Sequence, residues 1–512
     1  MKVLLFAPPI MDDLFWDRPV SIAMDAVREC PPYGIYLIQA VLRQAQHEAI
    51  VGDLIADGSN RIDPYLGDLR DCGLVGIAAT SMSWPTAVSV IRQVRQHRPD
   101  VPIVLGGIHP TMFDYYILTT FQVDYIVRGE GELAIQALCA ALERGSGIED
   151  VPNLSWRDGE GRVCRNPIPA KISKTQLGDF PIPDFSKLPM KLYKGLSIES
   201  SRGCAFDCSF CSTSYRKTWR GMPAEMFVDR LEQMLPQVER TQLEMIHVID
   251  DEFSMNPKRT IEITDILRKR SLKPILIYDS RATDLLYDGL IPSIAEFTGQ
   301  FLVGAECGYD EGLLQIGKGT TTKILEDAAA ALQKDGLAEN ADFSFVLGLP
   351  WETAKEVRKT CQFAAHLFMT YGVRILLQWY CQIPGSRLWE ADRDAGKVNE
   401  AMYNNYGFFR DLYLFCSGVK LSPQEIWEIS TMVSALQSMA RLRYPDKTMV
   451  EYGHPEPIGL YYPQEVMTRH PDGLASLREV ALPEKKRQVA RFEAIARTST
   501  ISMERPLRHM GH

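Results

Sequence analysis

The chain has 512 residues, 46% hydrophobic and 24% charged, an ordinary globular balance that, with cores rarely exceeding ~250–300 residues, implies several domains. A net charge of −9 and a pI near 5.6 argue against nucleic-acid binding through phosphate contacts. No apolar run reaches the length of a membrane span, and "MKVLLFAPPIMDDLF" is broken by Pro8-Pro9 too early for a secretory signal. A cytoplasmic setting is expected, in which the eleven cysteines stay reduced and a tight cluster of them points to metal.

Residues 1–145 alternate short apolar runs with amphipathic stretches. "KVLLF" (2–6), "AIVGD" (49–53), "LVGIAAT" (74–80), "PIVLGG" (102–107) and "VDYIVRG" (123–129) read as buried parallel strands. "GIYLIQAVLRQAQ" (34–46) and "WPTAVSVIRQVRQH" (84–97) carry apolar residues at the helical period. The alternation predicts a doubly wound α/β domain with its ligand site at the carboxyl ends of the strands. Pro8-Pro9, Thr80-Ser81, Gly106-Gly107 and "RGEGE" (128–132) fall at those ends, where glycine admits close approach and hydroxyls bind polar edges, or where they serve only as turns.

Residues 146–195 read as a connector with a small hairpin turning at Asp158-Gly159 and the proline-broken "LGDFPIPDFSKLP". A second alternating series follows, with strands at 196–201, 245–250, 274–280, 299–306, 342–348 and 374–382. Six strand–helix units predict a full or partial barrel with chemistry at the carboxyl face of its strands. Directly after the first of them comes "SRGCAFDCSFCSTSY", with Cys204, Cys208 and Cys211. Three thiols suit neither a four-ligand structural zinc nor a disulfide, whereas a tight loop can give three thiolates to one iron–sulfur cubane and leave the fourth iron open. The other eight cysteines (Cys30, Cys72, Cys139, Cys164, Cys307, Cys361, Cys381, Cys416) are scattered and read as small core residues.

"CAFDCSFC", with Phe210 before the last cysteine, resembles the CxxxCxΦC signature of the radical S-adenosylmethionine (SAM) superfamily. The resemblance implies a [4Fe–4S] cluster on Cys204, Cys208 and Cys211, whose open iron is chelated by SAM and whose electron releases a 5′-deoxyadenosyl radical. It implies SAM contacts from Phe210, from Asp250 or Glu252 in "IDDEF" near the amino group, and from Arg281 at the carboxylate. Glu306 in "GAECG" would meet the ribose, and Gly348 and Leu349 in "VLGLPWET" the adenine through backbone. A reduced flavodoxin or ferredoxin is the implied electron donor, and oxygen sensitivity follows from the cluster.

"PPYGIYLIQAVLRQAQHEAIVGD", "GGIHP" and "VDYIVRGEGE" resemble the cobalamin-binding domain fused ahead of many radical SAM enzymes. The combined resemblance covers roughly residues 1–390. It implies a flavodoxin-like or Rossmann-type cobalamin domain (1–145) and a partial (β/α)6 barrel (196–390). The residues themselves read as a linker with hairpin between them (146–195) and a mainly helical C-terminal region (391–512) that could cover the substrate. Cobalamin contacts fall to Pro9, Asp53, Thr80, Ser81, Gly106, Gly107, Gly129 and Glu130. In cobalamin domains carrying D-x-H-x-x-G the histidine ligates cobalt; here "DLIADG" puts Ile55 at that place between Asp53 and Gly58, and isoleucine has no lone pair to give. His109 reads as a hydrogen-bonding residue rather than a substitute ligand.

The implied activity is methylation of an unactivated carbon in a small-molecule, lipid or other natural-product substrate. Cyclisation or rearrangement with both cofactors is one alternative, and a redox or deoxygenating enzyme with a degenerate cobalamin domain is another. An electron carrier would want four cysteine ligands, and a tRNA methylthiotransferase would want clustered cysteines before residue 150. In the last 120 residues "SPQEIWEISTMVSALQSMARL" (422–442) opens as a helix at Ser422, Pro423 and Glu425. "PEKKRQVARFEAIAR" reads as another, and "YNNYGFFRDLYLF" (403–415) as aromatic packing or pocket cover.

Overall fold

The computed structural model describes residues 1–10 and 30–404, except 169, 170 and 214, together with scattered positions between 420 and 444. The aromatic stretch beyond Asn404 up to 415 and the 483–497 segment lie outside the described residues.

Fifteen strands are described: β1 Lys2–Ala7, β2 Glu48–Asp53, β3 Leu74–Ala78, β4 Ile103–Gly106, β5 Tyr125–Val127, β6 Leu154–Arg157, β7 Val163–Arg165, β8 Gly195–Ile198, β9 Ser201–Arg202, β10 Arg220–Gly221, β11 Met245–Val248, β12 Ile275–Ser280, β13 Thr298–Glu306, β14 Ala341–Leu347 and β15 Arg374–Trp379. The first sheet runs β2-β1-β3-β4-β5-β6-β7. Its first five strands are parallel, and β1, β3 and β4 are almost wholly apolar and buried, as strands covered on both faces must be. Helices Tyr33–Gln44, Trp84–His97 and Glu132–Arg144 cover it through their apolar stripes.

The linker expectation needs correction. The hairpin of β6 and β7 pairs antiparallel with β5 and extends the first sheet, so the first domain reaches Arg165. Pairing the exposed edge of β5 satisfies backbone groups that a free connector would leave to water, and Asp114 fastens it by accepting from Arg165 at 2.7 and 2.8 Å and from Ser155 Oγ at 2.6 Å.

The second sheet has the order β15-β14-β13-β12-β11-β8 and is parallel throughout. Spatial order follows chain order with both end strands unpaired to each other, the topology of an open six-stranded partial barrel. Its longest helix, Ala354–Tyr371, begins at a reciprocal cap between Thr353 and Glu356 and ends at Gly372 with φ 76°. In the C-terminal region Ser422 and Glu425 form the same kind of cap, with the Ser422 amide 2.8 Å from Glu425 Oε2 and the Glu425 amide 3.3 Å from Ser422 Oγ. Among the described residues no helix is long and apolar enough to cross a membrane.

Polar contacts between distant parts of the chain help to hold the halves together. Asp53 caps the turn Leu54–Asp57 through the Ala56 amide at 3.0 Å and accepts from Tyr36 at 2.9 Å and from Tyr193, beside the barrel, at 3.1 Å. Trp84 Nε1 donates to Asn404 Oδ1 at 2.9 Å, tying the chain beyond the barrel back to the first domain.

Candidate cofactor site

The cysteines lie on a loop closed at its neck. β9 and β10 pair antiparallel with Arg202 opposite Arg220, so residues 203–219 form one excursion from the mouth of β8. Gly203 starts it at φ 82°, and a Cβ there would stand 2.1 Å from the Thr218 carbonyl oxygen, so glycine is required on both counts. The Cys211 amide donates to the Cys208 carbonyl at 3.1 Å, the Cys204 amide to the Tyr215 carbonyl at 3.3 Å, and the Ser209 amide to the Ile316 carbonyl at 2.9 Å. Burial pushes the Cys204 thiol up and the Cys211 thiol to about 11, so only a positive partner would hold them as thiolates. Among the described residues no three His, Cys, Asp or Glu side chains converge as a single ion requires. A cubane puts each thiolate on its own iron, and the CxxxCxxC sequence spacing of these three thiols suits that donor set.

Around the loop stand the ends of the barrel strands. Both oxygens of Asp250 are saturated: Oδ1 accepts the Ser200 and Ser201 amides at 2.6 and 3.0 Å, and Oδ2 their hydroxyls at 2.5 and 2.6 Å. It holds the run into the cysteine loop and has no acceptor left for a ligand. Glu252, on the same turn, gives only Oε1, to the amide and hydroxyl of Ser254 at 3.1 and 2.6 Å. Burial raises its acid to about 8. Of the two expected carboxylates, Glu252 is the one with capacity remaining.

Arg281 is buried, its guanidinium carbon 3.5 Å from the centroid of Phe206 inside the cysteine loop. It donates to the Lys318 carbonyl, while its Nε has no partner among the described residues. Glu306 ends β13 at φ 67° and its Oε1 lies 2.7 Å from Lys318 Nζ. Phe210 is half-buried against the core. The Gly348 and Leu349 amides donate to Glu352 Oε2 at 2.8 and 3.0 Å, so a backbone contact to adenine would have to use their other atoms.

A cavity of about 630 Å³ opens between the carboxyl edge of the first sheet and the start of the barrel. Apolar walls come from Leu5, Ile38, Ile55, Leu105 and Ile108, and the far side from Ser197, Glu199, Arg202, Tyr215 and Ile249. Thr80, Gly106, Gly107, Gly129 and Glu130 of the expected cobalamin contacts line it. A Cβ on Gly106 would meet nothing within 4 Å, so a side chain there would intrude on that space. Pro8 lines it where Pro9 was expected. Asp53 and Ser81 do not: Asp53 is held by its two tyrosines, and Ser81 sits 3.0 Å from His109 Nδ1. His109 is fully buried, stacked on Trp84 with ring centroids 4.6 Å apart, and burial lowers it to about 3. Among the described residues no histidine lines the cavity, and Ile55 does. A flat, largely apolar macrocycle fringed with polar groups fits such walls and rim.

The chain matches the family model described as "B12 binding domain" over residues 21–139 and that of the "Radical SAM superfamily" over 198–364. An uncharacterized methyltransferase of Pyrococcus horikoshii is 30% identical over 400 residues, covering 76% of this chain and 83% of that one. The chain belongs to the B12-binding radical SAM enzymes. An anaerobic magnesium-protoporphyrin IX monomethyl ester cyclase of Rubrivivax gelatinosus is 28% identical over 57% of this chain and 54% of its own length. In fold, the radical SAM methyltransferase TsrM of Kitasatospora setae superposes with a TM-score of 0.64 at 18% identity, covering 94% of this chain and 99% of that one. The cofactors of a B12-binding radical SAM enzyme are cobalamin, SAM and a [4Fe–4S] cluster. The two model spans meet the structure at its two candidate sites, the cavity and the cysteine loop. Lys318, Arg202 and Glu199 escaped sequence reading because no local pattern marks them; each acquires its place only when distant strands converge.

Proposed function

We propose that the protein is a cobalamin-dependent radical SAM methyltransferase acting on an unactivated carbon of a biosynthetic intermediate. The carrying observation is that the first-domain cavity is lined by Arg202, at the neck of the cysteine loop, and by Tyr215, within that loop, so the two cofactor regions face one working space. When bound, the cluster and SAM supply a carbon-centred radical and cobalamin supplies the methyl group.

This chain's own residues divide the remaining work. Cys204, Cys208 and Cys211 would hold the cluster, and Asp250 fixes the run into their loop. Glu252, as a neutral acid or as a carboxylate, would meet the SAM amino group, and the Arg281 guanidinium its carboxylate. Glu306 would reach the ribose with Lys318 holding its carboxylate in place. Thr80, Gly106, Gly107 and Gly129 would line the corrin, and Ile55 would offer the cobalt no nitrogen donor. An external one-electron donor such as flavodoxin or ferredoxin would reduce the cluster.

Incubation without oxygen with methyl-labelled SAM and candidate substrates tests the reading by product mass. A gain of one labelled methyl supports it. The similarity to the Rubrivivax cyclase favours one competing reading, ring formation, and a product that loses hydrogen without gaining label would establish that instead.

A further inference from the structure

Glu130 sits in the "RGEGE" turn after β5, in the first domain, and lines the cavity. Its Oε1 accepts from Arg202 at 3.1 Å and from Arg220 at 2.9 Å, and its Oε2 from the Ile172 amide at 3.0 Å. Arg202 and Arg220 face each other across the two-residue ribbon that closes the cysteine loop. Arg202 also reaches Glu132 of the same turn at 2.5 Å and grips Glu199 at 2.7 and 2.8 Å. Side-chain exposure is 14% for Arg202 and 9%, 6% and 7% for Glu130, Glu132 and Glu199. The cluster therefore buries three carboxylates against two guanidiniums, and Arg202 stands two residues before Cys204.

Buried ion pairs of this kind add little net stability, because desolvation consumes most of the Coulombic gain, but they enforce one geometry. Guanidinium suits that task, since its planar fork donates to carboxylates only in fixed directions. The clamp joins the wall of one candidate cofactor site to the neck of the other, and Arg220 also packs on the ring of Tyr215 inside the cysteine loop, 4.8 Å from its centroid.

Resting on the function proposed above, we propose that Arg202 is a positioning residue: with Glu130 and Arg220 it fixes the separation between the cobalamin cavity and the cluster-bearing loop. Arg202 need touch neither reacting atom. It transmits the placement of one site to the other.

Pulsed paramagnetic resonance on the full chain, loaded with cob(II)alamin and a reduced cluster, reads that separation from the coupling of the two spins. The wild type should give a single narrow distribution. Arg202→Met and Glu130→Gln should broaden it about two-fold or more, since functional placement is held to ~0.5 Å, with iron and cobalt content unchanged. Arg202→Lys should recover only part of the narrowness. Arg220→Met, which removes one donor from Glu130 and leaves the other pairs, gives a milder version should the first variants fail to fold. An unchanged distribution in these variants overturns the inference, as does loss of iron or cobalt with the distribution intact, which would make the clamp a support for binding alone. A wild-type chain that takes up no cobalamin overturns the proposed function, and this inference with it.

Discussion

The Lys318 ammonium lies 2.7 Å from the Glu306 carboxylate, both side chains 9% exposed, at the carboxyl end of β13. Glu306 adopts φ 67° there, a conformation few non-glycine residues hold, so the pair fixes a strained strand end beside the cysteine loop. Removing one partner leaves a buried uncompensated charge. Lys318→Met should destabilise the protein by about 3–5 kcal/mol, and adding Glu306→Leu should restore much of the loss. Urea unfolding of the two variants checks this; a single variant as stable as the wild type would show that the ammonium is not needed to balance the carboxylate.

The thiols make a sharper division. Replacing Cys204, Cys208 or Cys211 with alanine should remove the cluster's absorbance and all SAM cleavage after anaerobic reconstitution. Cys307 is fully buried in the core of the barrel, and burial pushes its thiol well up. Cys307→Ala and Cys381→Ala should keep about four irons per chain. Equal iron loss across all five variants would mean that the wrong thiols have been chosen.

Much of this architecture is written locally. Apolar runs such as "LVGIA" and the periodic "WPTAVSVIRQVRQH" coincide with β3 and with helix Trp84–His97, because a buried parallel strand and an amphipathic helix each need their own spacing. The hairpin at 154–165 was legible as a hairpin, yet its membership in the first sheet depends on the unpaired edge of β5, which no local pattern reveals. Asp250 and Asp53 look like ligand residues in the sequence because carboxylates at strand ends often are. Their saturation by Ser200 and Ser201, and by Tyr36 and Tyr193, arises from contacts 17 to 140 positions apart. The reciprocal case is Arg202, unremarked beside the cysteine motif until Glu130 and Glu132 arrive from 70 or more residues away.

Glu252 predicts a pH dependence. Burial raises its acid from 4.5 to about 8, so the native state binds this proton more tightly than the unfolded chain does. The resulting stability is present in full below about pH 4.5 and is lost as pH rises through 8. At roughly 1.4 kcal/mol per pH unit the full effect is about 4–5 kcal/mol. Glu252→Gln mimics the neutral acid, so between pH 6 and 9 the ligand-free wild type should lose stability relative to that variant. Parallel stability curves would place the proton elsewhere, with Asp279, raised to about 7 by burial, and Asp284, also raised by burial, as candidates.

Cobalt's lower face supplies the last test. Ile55 lines the cavity and, among the described residues, no histidine does, while His109 is enclosed by Trp84 and Phe113 with centroids at 4.6 and 4.7 Å. Its Nδ1 is 3.0 Å from Ser81 Oγ and its Nε2 has no partner among the described residues. With burial lowering it to about 3, His109 stays neutral in the fold but charges in the unfolded chain near pH 6.5. Its contribution is a penalty that grows as pH falls from about 6.5 to 3. His109→Phe should therefore shift acid unfolding to lower pH. The same variant should leave the paramagnetic resonance of bound cob(II)alamin unchanged, with no splitting from a protein nitrogen in either protein. Nitrogen splitting in the wild type that disappears in His109→Phe would make His109 the ligand and require the helix Ile108–Met112 to rearrange on binding. Splitting that survives the replacement would point to another histidine or to the cofactor's own base, and would sink the reading of Asp53 to Gly58 as a lower face left open by Ile55.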